Sequence, residues 1–70
     1  MEREIITSEM IQSFGYDSDN AILEIEFRKG GAVWQYPEFA EITWNEFYNS
    51  ESRGKYFLTN IRGKYNEFRV

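Results

Sequence analysis

The chain contains neither cysteine nor histidine. Without cysteine no disulfide can staple a fold of this size, and a reducing compartment is the natural expectation. Losing both residue types also removes the usual zinc ligands and the common nucleophile–base pairs of hydrolases and transferases. Proline occurs once, at Pro37, so the chain is punctuated mainly by its five glycines. No apolar run approaches the roughly 20 residues that span a bilayer. The opening "MEREIITSEM" lacks the apolar stretch of a targeting signal. These absences lead to the expectation of a cytoplasmic protein with no membrane, metal or cofactor role.

What the chain has instead is rings. Two Trp, five Tyr and six Phe make up 19% of its 70 residues. Large aromatic side chains bury much area each, which suits a single small domain near the lower size limit for independent folding. The formal charge of −4 is unevenly spread. Residues 1–51 carry eleven acids and three bases (Arg3, Arg28, Lys29), while residues 52–70 carry five bases (Arg53, Lys55, Arg62, Lys64, Arg69) and one acid, Glu67. A basic end on an acidic chain is either a binding face or a tail that folds back onto the acidic strands.

Residues 1–9 read as a flexible lead-in and residues 10–70 as one domain. In "MIQSFGYD" Met10, Phe14 and Tyr16 fall on one alternating face and Ile11 on the other, as in a strand. Asp17 to Asn20 form a turn. "AILEIEFR" alternates strictly, with Leu23, Ile25 and Phe27 on one side and Glu24, Glu26 and Arg28 on the other, a face expected to be solvated. Lys29–Gly31 closes a hairpin into "AVWQYP", where Ala32, Trp34 and Tyr36 share a side and Pro37 ends the strand.

Beyond Pro37 the period becomes helical. Trp44, Phe47, Tyr48 and Glu51 stand on one face, with a helix start either at a capping box of Thr43 and Glu46 or nearer Ala40. Ser52 is an N-cap for a second helix bearing Tyr56, Phe57 and Ile61, which Gly63 terminates. "YNEFRV" reads as a last strand. The predicted fold is α+β: a three-stranded antiparallel β-meander, two short helices packed on one face, and a C-terminal strand. The repeated "RGKY" at Arg53–Tyr56 and Arg62–Tyr65 is no structural repeat, since one copy opens this helix and the other follows its end.

The stretches "FGYD", "LEIEFRKGGAVWQY" and "SRGKYFLTNIRGKY" resemble the KTSC domain, over roughly Ile11 to Val70. This is a short bacterial module named for the C-terminus of some lysyl-tRNA synthetases, and it also occurs as a free-standing protein. The most specific match is carried by Ser52, Gly54, Tyr56, Phe57, Asn60, Ile61 and Arg62. Trp34 stands where the family's Tyr-x-Tyr has its first Tyr, and Phe39-Ala40 where the family tends to have Val-Pro. The resemblance implies the fold and, through the synthetase context, RNA binding.

Other chemistry finds little support. Glu24 and Glu26 lie on a polar strand face rather than flanking a cleft, the 17–20 turn lacks the spacing of a calcium loop, and neither Gly-Lys pair belongs to a phosphate loop. No enzyme is expected. The candidate polyanion-binding residues are Arg53, Lys55, Arg62 and Lys64, with Tyr56 and Tyr65 available to stack bases. The tyrosines have an alternative role as core, and Asn60 as a partner of helix-end backbone. The lead reading is a non-catalytic module that binds RNA weakly. Its rival is a protein-interaction or self-associating module, a homodimer included, of phage or prophage origin. Pairing of Lys64 or Arg69 with Glu24 or Glu26 would favour the rival.

Overall fold

A computed structural model describes residues Met1–Val70 throughout. The class is α+β, with a five-stranded antiparallel sheet and two helices, the second extended by a wider turn. The strands β1 (Glu4–Ile5), β2 (Ile11–Asp17), β3 (Ile22–Phe27), β4 (Val33–Tyr36) and β5 (Phe68–Arg69) lie side by side in sequence order. The predicted meander is its central part. Gly30 and Gly31, both at positive φ, close the β3–β4 hairpin. Asp17 Oδ1 accepts the backbone N–H groups of Asp19 and Asn20 and closes the β2–β3 turn.

Two expectations fail at the N-terminal side of the sheet. Residues 1–9 are not a loose lead-in: Glu4 and Ile5 pair with Phe14 and Ser13, and Ile6 is buried in the core. The Arg28 guanidinium pins this segment by donating to the Ser8 and Ile6 carbonyls and to Gln12 Oε1. Gly15 lets the segment lie close, since a Cβ there would sit 2.2 Å from the Glu2 carbonyl oxygen. Ile11 is also misplaced by strict alternation. It pairs with Phe27 while Ser13 pairs with Glu26, so Gln12 is an extra residue in the ladder. That bulge returns Ile11 to the core side, fully buried beside Phe14.

Helix α1 (Glu41–Tyr48) begins with Ala40 in the N-cap position and no side-chain cap, so the Thr43–Glu46 capping box does not form. The chain is set earlier, by positive φ at Glu38 and by the Phe39 side chain locked in the core. Helix α2 (Arg53–Tyr56) opens on Ser52, whose hydroxyl accepts the Lys55 N–H at 3.2 Å, as expected. It runs into a π-helical turn (Phe57–Ile61), in which the Arg62 N–H reaches the Phe57 carbonyl at 2.9 Å. Gly63 follows at positive φ.

Both helical segments cover one face of the sheet. The core between them joins Ile11, Phe14, Leu23, Ile25 and Tyr36 of the sheet to Phe39, Phe47, Phe57 and Ile61. Rings meet largely edge to face, with Phe14 against Trp44 at 4.8 Å and against Phe47 at 5.0 Å. No helix is long and apolar enough to cross a membrane.

Candidate functional site

The six residues singled out in the sequence meet different fates. Arg53 is half-buried and lines the same cleft as Lys55, but most of its guanidinium is engaged within the fold. Its Nε and Nη2 donate to the Tyr48 carbonyl at 3.0 and 2.7 Å, and its guanidinium lies 5.6 Å from the ring centres of both Phe14 and Tyr48. It closes the C-terminal end of α1. Tyr56 stacks on Phe47 (5.3 Å, 20°) and donates its hydroxyl to Glu46 Oε1. Burial, then the Glu46 hydrogen bond, raise its pKa. Tyr65 packs on Phe39 at 4.8 Å. Both tyrosines are half-buried and structural.

Lys55, Arg62 and Lys64 are exposed, and no side-chain hydrogen bond or salt bridge engages them. The fold does not gather them into one site. Lys55 lines a cleft between the 7–10 loop and α2, Lys64 a shallow depression beside Pro37 and Glu38, and Arg62 a groove of about 290 Å³.

The Arg62 groove has the most distinctive chemistry. It runs between the π-helical turn and the β4 side of the sheet, and its floor is aromatic: Phe27, Trp34, Tyr36 and Phe57. Tyr36 is fully buried, while Trp34 is only partly covered. Burial, and Glu67 beside its hydroxyl, push the Tyr36 phenol far above its ordinary pKa, so it stays neutral. Arg62 and Glu67 stand on the rim. Trp34 is thus part core and part surface.

The charge split is not settled as the sequence suggested. Neither Lys64 nor Arg69 pairs with Glu24 or Glu26. The partner is Arg3, which forms ion pairs with both carboxylates and donates to Ser13 Oγ at 3.0 Å. Ser13 donates in turn to Glu26 (2.9 Å) and Gln35 Nε2 to Glu24 (2.7 Å). Glu24, expected in solvent, is only 7% exposed under this cover. Sequence reasoning missed the network because its key cation comes from the segment read as flexible.

The motif "SRGKYFLTNIR" can now be placed residue by residue. Ser52 caps α2, Gly54 abuts Ser8 and Met10, Tyr56 and Phe57 pack, and Ile61 is fully buried. Asn60 Nδ2 donates to the Tyr56 carbonyl at 3.3 Å. A family model described as the KTSC domain matches residues 7–65. The chain belongs to the KTSC domain family. Among solved structures, a KTSC domain protein from Yersinia pestis is 36% identical, with a TM-score of 0.93, covering 99% of this chain and 96% of that one. No curated protein matches. In this KTSC domain, Arg62 closes the π-helical turn through its backbone N–H, while its side chain is left without a protein partner.

Proposed function

We propose that this chain is a non-catalytic binding module that takes a single-stranded RNA segment weakly into the Arg62 groove. One observation carries the reading: Arg62, whose side chain has no protein partner, stands on the rim of a groove that the partly covered Trp34 also lines. An indole face accepts any base, and a guanidinium beside it holds the adjoining phosphate. Lys64 and Lys55, free and outside the groove, add longer-range attraction. With so few phosphate contacts and a net charge of −4, binding is weak and salt-sensitive. The non-catalytic part is supported by the state of Glu24 and Glu26, which are tied to Arg3, Ser13 and Gln35 rather than aimed into a cleft.

The test is fluorescence anisotropy of labelled tRNA and short single-stranded RNA at about 50 and about 200 mM salt. Arg62→Glu is expected to weaken binding and flatten its salt dependence, because a phosphate contact is lost. Trp34→Ala is expected to cost about 1–3 kcal/mol with the salt slope unchanged, because a stack is lost. Absence of binding at the lower salt, or binding indifferent to both variants, rules the reading out.

A further inference from the structure

The outer edge of β5 is unpaired and exposes Phe68, 60% accessible, and Val70, 72% accessible. Such an edge is a template for another strand unless something blunts it. Its backbone polarity follows from the register. The Val70 N–H donates to the Val33 carbonyl, and Gln35 pairs with Phe68 and Trp34 with Arg69. Alternation along an antiparallel ladder then turns the N–H and C=O groups of Phe68 and Val70 toward β4 and those of Arg69 outward, and the same alternation carried one residue ahead of the strand puts Glu67 with Arg69.

We propose that this edge pairs with the same edge of a second copy, antiparallel, about a two-fold axis at Phe68. In that register Glu67 of each copy faces Arg69 of the other. These are the residues whose backbone groups point outward, so each Glu–Arg pair is a hydrogen-bonded pair and the two phenylalanines form the close, non-hydrogen-bonded pair between them. Opposite charges and aromatic rings directly across a ladder are both stabilising. The alternative two-folds, at Glu67 or at Arg69, place like charges opposite each other and are disfavoured. Charge complementarity therefore selects one register and one occupant, a second copy of this chain. The outward side chains lie on the helix side and the phenylalanines on the open side, so the two five-stranded sheets would continue as one of ten.

The opposite edge does not offer this. Around Ile5 of β1 the flanking residues are Glu4 and Ile6, which carry no complementary pair, and Glu4 is already engaged by the Tyr48 hydroxyl at 2.8 Å. Joining β1 of one copy to β5 of the next would be a head-to-tail contact, which ends only where its rotation happens to close a ring. The two-fold at β5 closes after two copies. The proposal does not rest on RNA binding and is tested without nucleic acid.

Sedimentation equilibrium of the whole chain, from micromolar to millimolar concentration, reads the association. Wild type is expected to dimerise within that range. Arg69→Glu and Glu67→Arg each turn both Glu–Arg pairs into like-charge pairs, and each alone is expected to weaken dimerisation about tenfold or more. Mixed in equal amounts, the two variants regain opposite charges at both positions and are expected to form the heterodimer with near wild-type affinity. Circular dichroism confirms that each variant is folded before mixing; should Glu67→Arg unfold through its place beside Tyr36, concentration-dependent protection of the Glu67 and Arg69 amides in wild type reads the same register. A wild type that stays monomeric at millimolar concentration overturns the proposal. So does a dimer that survives both single variants, or two folded variants that do not associate on mixing.

Discussion

Arg53 reaches back from the start of α2 to the Tyr48 carbonyl at the end of α1, donating to it twice, at 3.0 and 2.7 Å. One guanidinium therefore satisfies a carbonyl at a helix end, complements the dipole there, and packs over Phe14 and Tyr48. A residue that looks like part of a basic patch is a joint between two helices.

That assignment separates stability from binding. Arg53→Ala is expected to destabilise the fold by about 1.5–3 kcal/mol, the range for hydrogen bonds to a charged group. Arg53→Lys should recover only part of this, since an ammonium cannot reproduce the two-pronged, ring-stacked contact. Urea unfolding measures both. An Arg53→Ala protein as stable as wild type would refute the assignment.

The Arg3–Glu24 pair should behave as a covered ion pair. Removing Arg3 leaves a carboxylate that is 7% exposed with only Gln35 as partner. Because Arg3 itself retains 28% side-chain exposure, the loss is put below that of a fully buried pair, at about 1–3 kcal/mol. Arg3→Ala combined with Glu24→Gln should lose less than the sum of the two single variants. A double-mutant cycle in thermal or urea unfolding gives the coupling, and additivity would show that the pair does not interact.

Gly15→Ala should loosen β1 selectively. The new Cβ would collide with the Glu2 carbonyl oxygen, which belongs to backbone and cannot swing aside. Hydrogen exchange at Ile6, whose N–H bonds to the Gln12 carbonyl at 3.2 Å, should accelerate much more than exchange within β3. Equal acceleration at both places would indicate general destabilisation instead.

Asp17 gives a pH signature. The Asn20 side chain, then the backbone N–H groups of Asn20 and Asp19, hold its pKa below the ordinary 3.8. A carboxyl whose pKa is lower folded than unfolded stabilises the fold above its unfolded pKa, and that contribution disappears as pH falls through the folded one. Unfolding midpoints of wild type and Asp17→Asn should therefore differ near neutrality and converge in strong acid. A difference constant across that window would mean that the charge is not involved.

The parts of this protein held by near neighbours were legible in its residues alone. The alternation of Leu23, Ile25 and Phe27, the paired glycines of the hairpin, the aromatic face of α1 and the Ser52 cap all act within a few residues, and all formed. Tyr56 and Tyr65 were also legible as packing, because a small chain has few rings to spare. What depended on distant partners came only with packing. Glu4 and Ile5 become a strand because β2 is there to pair with, and Gly15 because the backbone at Glu2 lies against it. Ile11 joins the core through a bulge that shows in no local pattern, and Glu24 is covered by a cation 21 residues away. For the candidate site the same holds: spacing could name Arg53 and Arg62 alike, but only packing spends the first on a helix end and leaves the second on a groove. Charge and period are local properties, whereas burial and pairing are settled by whatever the rest of the chain brings alongside.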